Sequence, residues 1–271
     1  MLRDLPPLRL FFRQELGWLI GVSVATLVVI VGVYVAGRWG GVGQRNATVA
    51  ALVVSALWLA MAAPALAASS GEFLRQMLRA GTAADGALLA LLIIVTVSGG
   101  GEIGESGAVA GADGTLTFWG ACKVYVTLAA MAVAAVFVVR LARGVWARQA
   151  AAFACAVVLL AMLATPLWTG GLIAAAADSP RDGARHWRDR VTTAVVWANP
   201  VYSIASATAE QIQYSPHQSD FIYSTELTLI GDYATPAPTP WYAAATLLAT
   251  VSASCGLWTA GCRLWARRPH S

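Results

Sequence analysis

The glycine-rich run at residues 99–107, GGGEIGESG, is the first place where residue types and spacing suggest chemistry. Glycines of this kind can cradle phosphate, but no Gly-Lys-Ser/Thr follows to hold phosphate and metal. Glu102 and Glu105 could share a cation, although two solvated loop carboxylates are the simpler interpretation. The run is therefore interpreted as a flexible external loop and not as a nucleotide site.

Two further groups of reactive residue types are weaker still. Ser215, His217 and Asp220 supply the side chains of a hydrolytic triad, but closeness in sequence does not create triad geometry. His186 lies among Arg and Asp residues in a charged segment, where a solvated side chain is the ordinary state. The sequence holds no His-Glu-x-x-His and no nucleotide-binding loop. It predicts a chain that is not an enzyme, with no catalytic residue, cofactor or metal.

The four cysteines, Cys122, Cys155, Cys255 and Cys262, form no Cys-x-x-Cys pair. Each lies in or beside an apolar run, so we expect small buried hydrophobic side chains and not metal or redox sites.

The composition indicates a membrane protein. The chain is 58% hydrophobic and 12% charged, against about 25% charged in a typical soluble domain. Each of the long uncharged runs reaches the length of about 20 residues that spans a bilayer. Two weaker runs complete a prediction of six transmembrane helices in one domain, residues 1–271. The strong runs are Leu16–Gly37, Ala47–Gly71, Gln149–Ala177 and Pro240–Cys262, and the weaker ones are Gly86–Gly101 and Thr115–Val139, which carries Lys123 near one end.

Within these six runs the middle third holds no Asp, Glu, His or Arg. Transporters that are driven by protons or sodium usually place ionisable groups near the bilayer midplane. If the protein moves a substrate, we therefore expect its energy to come from a separate ATPase.

The distribution of arginine predicts the orientation, because positively charged residues favour cytoplasmic loops. With the N-terminus in the cytoplasm, the inner segments hold most of the arginines and the outer segments hold most of the acidic residues. Arg38 and Arg45, in the first outer loop, are exceptions. The net charge of +4 is spread over membrane-flanking loops, so no nucleic-acid partner is expected. The inner arginines are Arg3, Arg9, Arg13, Arg75, Arg79, Arg140, Arg143, Arg148, Arg263, Arg267 and Arg268.

The fold class that follows is all-α: a polytopic protein of the plasma or inner membrane, with both termini cytoplasmic. Residues 1–16 are predicted to form an amphipathic helix on the inner interface, in contact with membrane lipid. Residues 17–176 hold five spans, and Ser69–Asp85 forms a short cytoplasmic helix and turn between the second and third of these. Residues 177–240 form an external segment, 241–262 the sixth span, and 263–271 a cytoplasmic tail.

The external segment contains the stretch VVWANPVYSIASATAEQ at residues 195–211. Asn199 suits a helix cap and Pro200 the first helical position. Residues 192–213 are predicted to form a helix or re-entrant pair at the outer interface, held there by Trp197 and Tyr202. A capped amphipathic helix with no part in function fits the same residues.

Stripes of small residues predict close helix packing in two spans. They are Gly32 and Ala36 in the first span, and Ser252, Gly256 and Ala260 in the last.

This arrangement resembles the membrane subunit of ABC exporters of the type-2 (ABC-2) permease family. That family has an interfacial N-terminal helix before span one and six spans with arginine-rich inner ends. Its pattern of Glu and Arg followed by Gly-Thr-Leu before span three resembles residues 71–94, GEFLRQMLRAGTAADGALLALLII. Gly81-Thr82 fits this pattern, Ala83 stands where Leu is expected, and Glu72 lies upstream of the acidic position. The family's external Asn-Pro before a small, apolar helix corresponds to Asn199-Pro200.

The resemblance implies a permease that works as a homo- or heterodimer with a separate ABC ATPase subunit. Glu72, Arg75 and Arg79 become candidate ATPase-coupling residues, and Trp197, Asn199, Pro200 and Tyr202 candidate outer-gate or structural residues. The substrate is expected to be hydrophobic or amphipathic, because the spans offer apolar and small side chains. A solvated face fits the three charges equally well. A non-transporting scaffold of a larger complex is the alternative function, and an intramembrane enzyme lacks a convergent polar group.

Overall fold

The computed structural model describes residues 8–69, 72–98, 116–165, 190, 194, 197–208 and 240–266. Side chains are described for these residues apart from 8–14, 45, 205 and 263–266.

Within these ranges all regular secondary structure is helical. The helices are α1 (Leu8–Trp39), α2 (Gln44–Ala68), α3 (Phe73–Val97), α4 (Phe118–Ala142), α5 (Arg148–Leu163), α6 (Pro200–Thr208) and α7 (Ala243–Ala266).

In the described ranges five helices are long and apolar enough to cross a membrane, which is the architecture of a multi-pass membrane protein. The candidate spans are Glu15–Trp39, Asn46–Ala68, Phe73–Val97, Phe118–Ala142 and Ala243–Cys262. Helix α5 is apolar but has 16 residues, which is shorter than a full span. The rest of the predicted run Gln149–Ala177 lies outside the described residues, so the sixth span stays a prediction.

Helices that are consecutive in the chain alternate in direction from α1 to α5, and some pairs in contact are parallel. Arg79 contacts Glu15 and Gly86 contacts Ser23, so α3 runs parallel to α1. Arg140 contacts Gln76, so α4 runs antiparallel to α3. Helix α7 is parallel to α4, because Lys123 lies near Trp241 and Phe137 lies against Gly256.

Two ends of the bundle follow from these directions. The end of the bundle at which α1 and α3 begin and α4 terminates is called the Arg79 end. The opposite end holds the start of α2, the close of α5 and all of α6, and is called the Asn199 end. Helix α1 begins, and α7 ends, at the Arg79 end.

The core lies around α4, which contacts α2, α3, α5, α6 and α7. Much of it is alanine, which lets helix backbones approach closely where no hydrophobic drive acts between apolar helices and lipid. Leu52, Leu59, Leu128 and Met131 fill the remaining space as fully buried side chains. The buried alanines include Ala51, Ala56, Ala60, Ala63, Ala84, Ala87, Ala132 and Ala135.

Helix α3 differs most from the prediction. The predicted short helix and turn at Ser69–Asp85 is wrong, because one helix runs unbroken from Phe73 to Val97. The Thr82 hydroxyl donates to the Leu78 carbonyl oxygen at 2.6 Å and so stays within the helix. Gly86 is a point of close helix approach, where a Cβ would lie 3.0 Å from the Ser23 backbone. Gly81 and Gly86 are therefore interior positions of a span and not turn residues.

The longer α3 also overturns the expectation that the middle of every span is uncharged. Asp85 lies at the centre of α3, twelve residues from Phe73 and twelve from Val97. The predicted run began at Gly86 and missed it, because Arg75, Arg79 and Asp85 make the first half of α3 look like a loop.

Other predicted elements are found with changed boundaries. Helix α1 is continuous through residue 16, so no break marks the predicted boundary between the interfacial helix and span one. In the last span Gly256 does face a neighbour, because a Cβ added to it would lie 3.2 Å from the ring of Phe137. A Cβ added to Gly32 would meet nothing within 4 Å, so its stripe packs against no helix of the described chain.

Candidate functional site

A buried carboxylate organises the Arg79 end. Glu15, in α1, is 4% exposed and accepts two hydrogen bonds from one guanidinium. Arg79 Nε donates to Glu15 Oε2 at 2.8 Å, and Arg79 Nη2 donates to Glu15 Oε1 at 3.1 Å. This bidentate geometry is the strongest form of an Arg–carboxylate pair. It ties α1 to α3.

The same guanidinium has further partners. Arg79 Nη1 donates to Ser69 Oγ at 2.8 Å, which adds the end of α2 to the cluster. Its carbon lies 4.9 Å from the centre of the Trp18 ring, within cation–π distance. Arg79 therefore joins three helices.

Arg75 lies one turn away and bridges two acids. Its Nε is 3.4 Å from Glu15 Oε1 and 3.3 Å from Glu72 Oε2. The Glu72 side chain is 63% exposed, whereas that of Arg75 is 27% exposed. Of the three predicted coupling residues, Glu72 is thus the accessible one.

Helix α4 joins this end through Arg140. Its Nη1 donates to the buried Gln76 Oε1 at 3.1 Å, and its guanidinium lies 4.8 Å from the centre of the Phe73 ring. Phe73 also contacts Phe137 edge to face, with ring centres 5.5 Å apart.

The structure places the candidate coupling residues Glu72, Arg75 and Arg79 close together. Arg75 contacts Glu72, and both arginines contact Glu15 of α1. The solvated-face interpretation is wrong for Arg79, whose side chain is 11% exposed and bound to Glu15. Sequence reasoning missed Glu15, because it pairs with a residue 64 positions away. The sequence signal for Glu15 is a single acidic residue directly before the apolar run Leu16–Gly37.

The Asn199 end is organised by a capped helix. Asn199 is fully buried, and its Oδ1 accepts the Val201 backbone N–H at 2.8 Å. Helix α6 begins at Pro200, as the sequence predicts for an Asn-Pro start. The other side of the same amide, Nδ2, donates to the Leu163 carbonyl oxygen at 3.0 Å. Asn199 therefore satisfies the start of α6 and the last residue of α5 together.

A second side chain of α6 serves the last span. Ser203 Oγ accepts the Ala244 backbone N–H at 3.0 Å, one of the donors at the start of α7 that has no partner within its own helix. Val201, Ile204 and Ala207 are buried, and they place the apolar face of α6 against the bundle. α6 contacts α2, α4, α5 and α7.

The predicted aromatic residues lie on either side of this helix start. Tyr202 is half-buried and packs against the core, whereas Trp197 is 49% exposed. Of the predicted 192–213 segment the structure describes residue 194 and residues 197–208. The rest of the segment lies outside the described residues. Nearby, the Lys123 ammonium lies 5.9 Å from the centre of the Trp241 ring.

The reactive residue types singled out from the sequence, Glu102, Glu105, His186, Ser215, His217 and Asp220, all lie outside the described residues. In the part of the chain that the structure covers, no group of three His, Cys, Asp or Glu side chains is placed to hold a metal ion. The four cysteines are free thiols.

Comparison of the chain with protein-family models, curated proteins and solved structures finds no significant match. The fold therefore defines a class, a helical bundle with the architecture of a multi-pass membrane protein. The resemblance to ABC-2 permeases remains a hypothesis about its family.

Proposed function

We propose that the protein is the membrane-spanning permease subunit of an ATP-driven transporter of ABC-2 type, which moves a hydrophobic or amphipathic substrate. A separate ATPase subunit supplies the energy, and a second permease subunit, identical or different, completes the pathway. The Arg79 end is the cytoplasmic end in this proposal, since it holds more of the described arginines than the Asn199 end, where Arg38 and Arg45 lie.

The observation that carries the proposal is the position of α6. Buried polar groups need hydrogen-bond partners, and α6 and its cap Asn199 find theirs on two other helices. Asn199 and Ser203 fix α6 to α5 and to α7 through two buried hydrogen bonds. The helix thereby bridges two elements that must separate if the Asn199 end opens. This is the role that the resemblance assigns to the external helices, which close the outer side.

The accessible residues at the start of α3 are the better candidates for ATPase contact. Phe73 and Leu74 are exposed there beside Glu72. Arg75 and Arg79 hold this surface in place through Glu15, so we assign them a positioning role. An exposed apolar and acidic edge at the end of a span would suit a contact with a soluble partner.

The exposure of helix α1 is an argument for a second permease subunit. It buries 17% of its most apolar window within the chain, less than any other candidate span. Gly17, Gly21 and Ala25 lie at four-residue spacing on its exposed side, where another helix can approach closely.

Co-purification is the test. The tagged chain, extracted in a mild detergent, should retain an ABC ATPase that mass spectrometry identifies and whose activity is sensitive to orthovanadate. Leu74→Asp should lower the amount of bound ATPase, and Val97→Asp should not. The two side chains are 57% and 71% exposed and lie at opposite ends of α3.

Recovery of other membrane proteins without any ATPase would contradict the proposal and favour the alternative function, a non-transporting scaffold. The exposed α1 and α3 surfaces would then be contacts within a larger complex.

A further inference from the structure

We propose that Asp85 binds the charged group of a lipophilic cation, a molecule with one positive charge and a large apolar body, and that such cations are the substrate class. The inference deepens the proposed function, because it names the substrate of the proposed permease.

The depth of Asp85 is the first step. Twelve residues of helix separate it from each end of α3, which is about 18 Å at 1.5 Å per residue. A span centred on the bilayer therefore places Asp85 near the midplane. Ionisable residues there are costly and mark functional sites by default.

The surroundings of Asp85 are the second step. Its side chain is exposed on the surface of the bundle, and the Tyr125 hydroxyl donates to Asp85 Oδ1 at 2.8 Å. Among the described residues no Lys or Arg forms an ion pair with it. Glu15, by contrast, is buried and bound to Arg79. Among the described residues, Glu15 is thus paired with a cation, and Asp85 is exposed at the surface with a hydrogen bond from Tyr125.

The neighbouring surface is apolar. Leu89 and Ile93 are exposed one and two turns along the same face of α3, and Val126 is exposed beside Tyr125 on α4. A carboxylate flanked by aliphatic side chains complements a ligand whose charge is attached to an apolar body. The hydrogen bond from Tyr125 holds Asp85 Oδ1 on this surface.

A second copy of the chain fits this position less well. A two-fold axis along the membrane normal keeps each residue at its own depth, so Asp85 would face the middle of another span. In the described spans every basic residue lies six or more residues from the middle of its helix, and the nearest, Arg79, is bound to Glu15. These basic residues are Arg38, Arg75, Arg79, Lys123 and Arg140, with Arg9 and Arg13 at the start of α1. The described spans of a symmetric partner therefore place no basic residue at the depth of Asp85.

Binding of tetraphenylphosphonium to the full chain in phosphatidylcholine nanodiscs tests the inference. The wild type should bind the cation saturably, and Asp85→Asn should weaken binding by roughly tenfold or more. Asp85→Glu should retain part of the affinity, because it keeps the charge. Thr96→Val is the control: it removes a polar group from the exposed surface of the same helix without changing the charge, and should bind as the wild type does. Tetraphenylborate, which has the same shape and the opposite charge, should not bind.

Equal saturable binding by the wild type and Asp85→Asn would overturn the inference. Absence of binding to the wild type would also overturn the inference. If Asp85→Asn instead releases a co-purified membrane protein, Asp85 is a protein contact and the inference is overturned as well. If Asp85→Asn does not fold, carbodiimide labelling of Asp85 in the wild type replaces it. Tetraphenylphosphonium should slow that labelling, and an unchanged labelling rate would contradict the site.

The assay contains no ATPase. Binding without a co-purified ATPase would leave the site standing while the proposed function failed. A bound ATPase without cation binding would remove only the substrate assignment.

Discussion

At the scale of single residues, two polar side chains each join several helices. Arg79 contacts Glu15, Ser69 and Trp18, and Asn199 joins α5 to α6. In both cases the buried partner has no water to replace the lost contact, so removal of one side chain should cost more than a surface substitution.

Arg79→Ala should lower the free energy of unfolding by about 3 kcal/mol or more, because it leaves Glu15 buried with a weaker partner. Thermal unfolding in detergent measures this loss. The double variant Glu15→Gln with Arg79→Ala should recover part of it, since the buried charge is gone. Arg38→Ala, at an exposed position, is the control and should change little. Equal effects of Arg79→Ala and Arg38→Ala would show that the ion pair does not hold α1 to α3.

Asn199→Ala should loosen α6 without unfolding the bundle. The lost cap costs about 1 kcal/mol, and the lost hydrogen bond from Asn199 Nδ2 to the Leu163 carbonyl oxygen adds about 0.5–1.5 kcal/mol. Asn199→Ser keeps a capping oxygen and loses the amide donor, so its effect should be intermediate. Pro200→Ala should be milder, because only the pre-set φ is lost.

Hydrogen exchange of the amides of residues 201–208 is the readout for these three variants. Exchange that is unchanged in Asn199→Ala would mean that other contacts position α6. In a transporting complex the same variant should uncouple ATP hydrolysis from transport.

At the scale of elements, local patterns can be predicted from the sequence and long-range pairing cannot. The Asn-Pro start of α6 and the apolar runs of α2 and α4 depend on neighbouring residues, so the sequence is enough. The predicted division of α3 is wrong because Arg75, Arg79 and Asp85 make its first half polar. Their partners, Glu15 and Tyr125, lie on other helices and are not visible in the local pattern.

Two glycines of α3 test its continuity. Gly81→Ala should stabilise the protein by up to about 1 kcal/mol, because the helix favours Ala and no atom lies within 4 Å of the new Cβ. Gly86→Ala should destabilise it, because the Cβ would meet the Ser23 backbone at 3.0 Å. Unfolding temperatures of the two variants compare these directly. A destabilising Gly81→Ala would instead favour a turn at that position.

At the scale of the whole molecule, the central claim is a bundle that crosses the membrane with the Arg79 end in the cytoplasm. Helix α1 begins and helix α7 ends at the Arg79 end. The orientation of the bundle therefore determines on which side of the membrane Glu72, Leu74, Arg75 and Arg79 lie. The external position of α6 depends on the same orientation, whereas the depth of Asp85 at the centre of α3 does not.

Labelling of single cysteines in intact cells tests this claim most directly. The four native cysteines are first replaced, and Val42→Cys and Val145→Cys are then compared with an impermeant thiol reagent. Both valines are exposed in turns, Val42 at the Asn199 end and Val145 at the Arg79 end. We expect the cysteine at 42 to label in intact cells and the one at 145 to label only after the cells are opened. The reverse pattern, or equal labelling of both in intact cells, would contradict the claim.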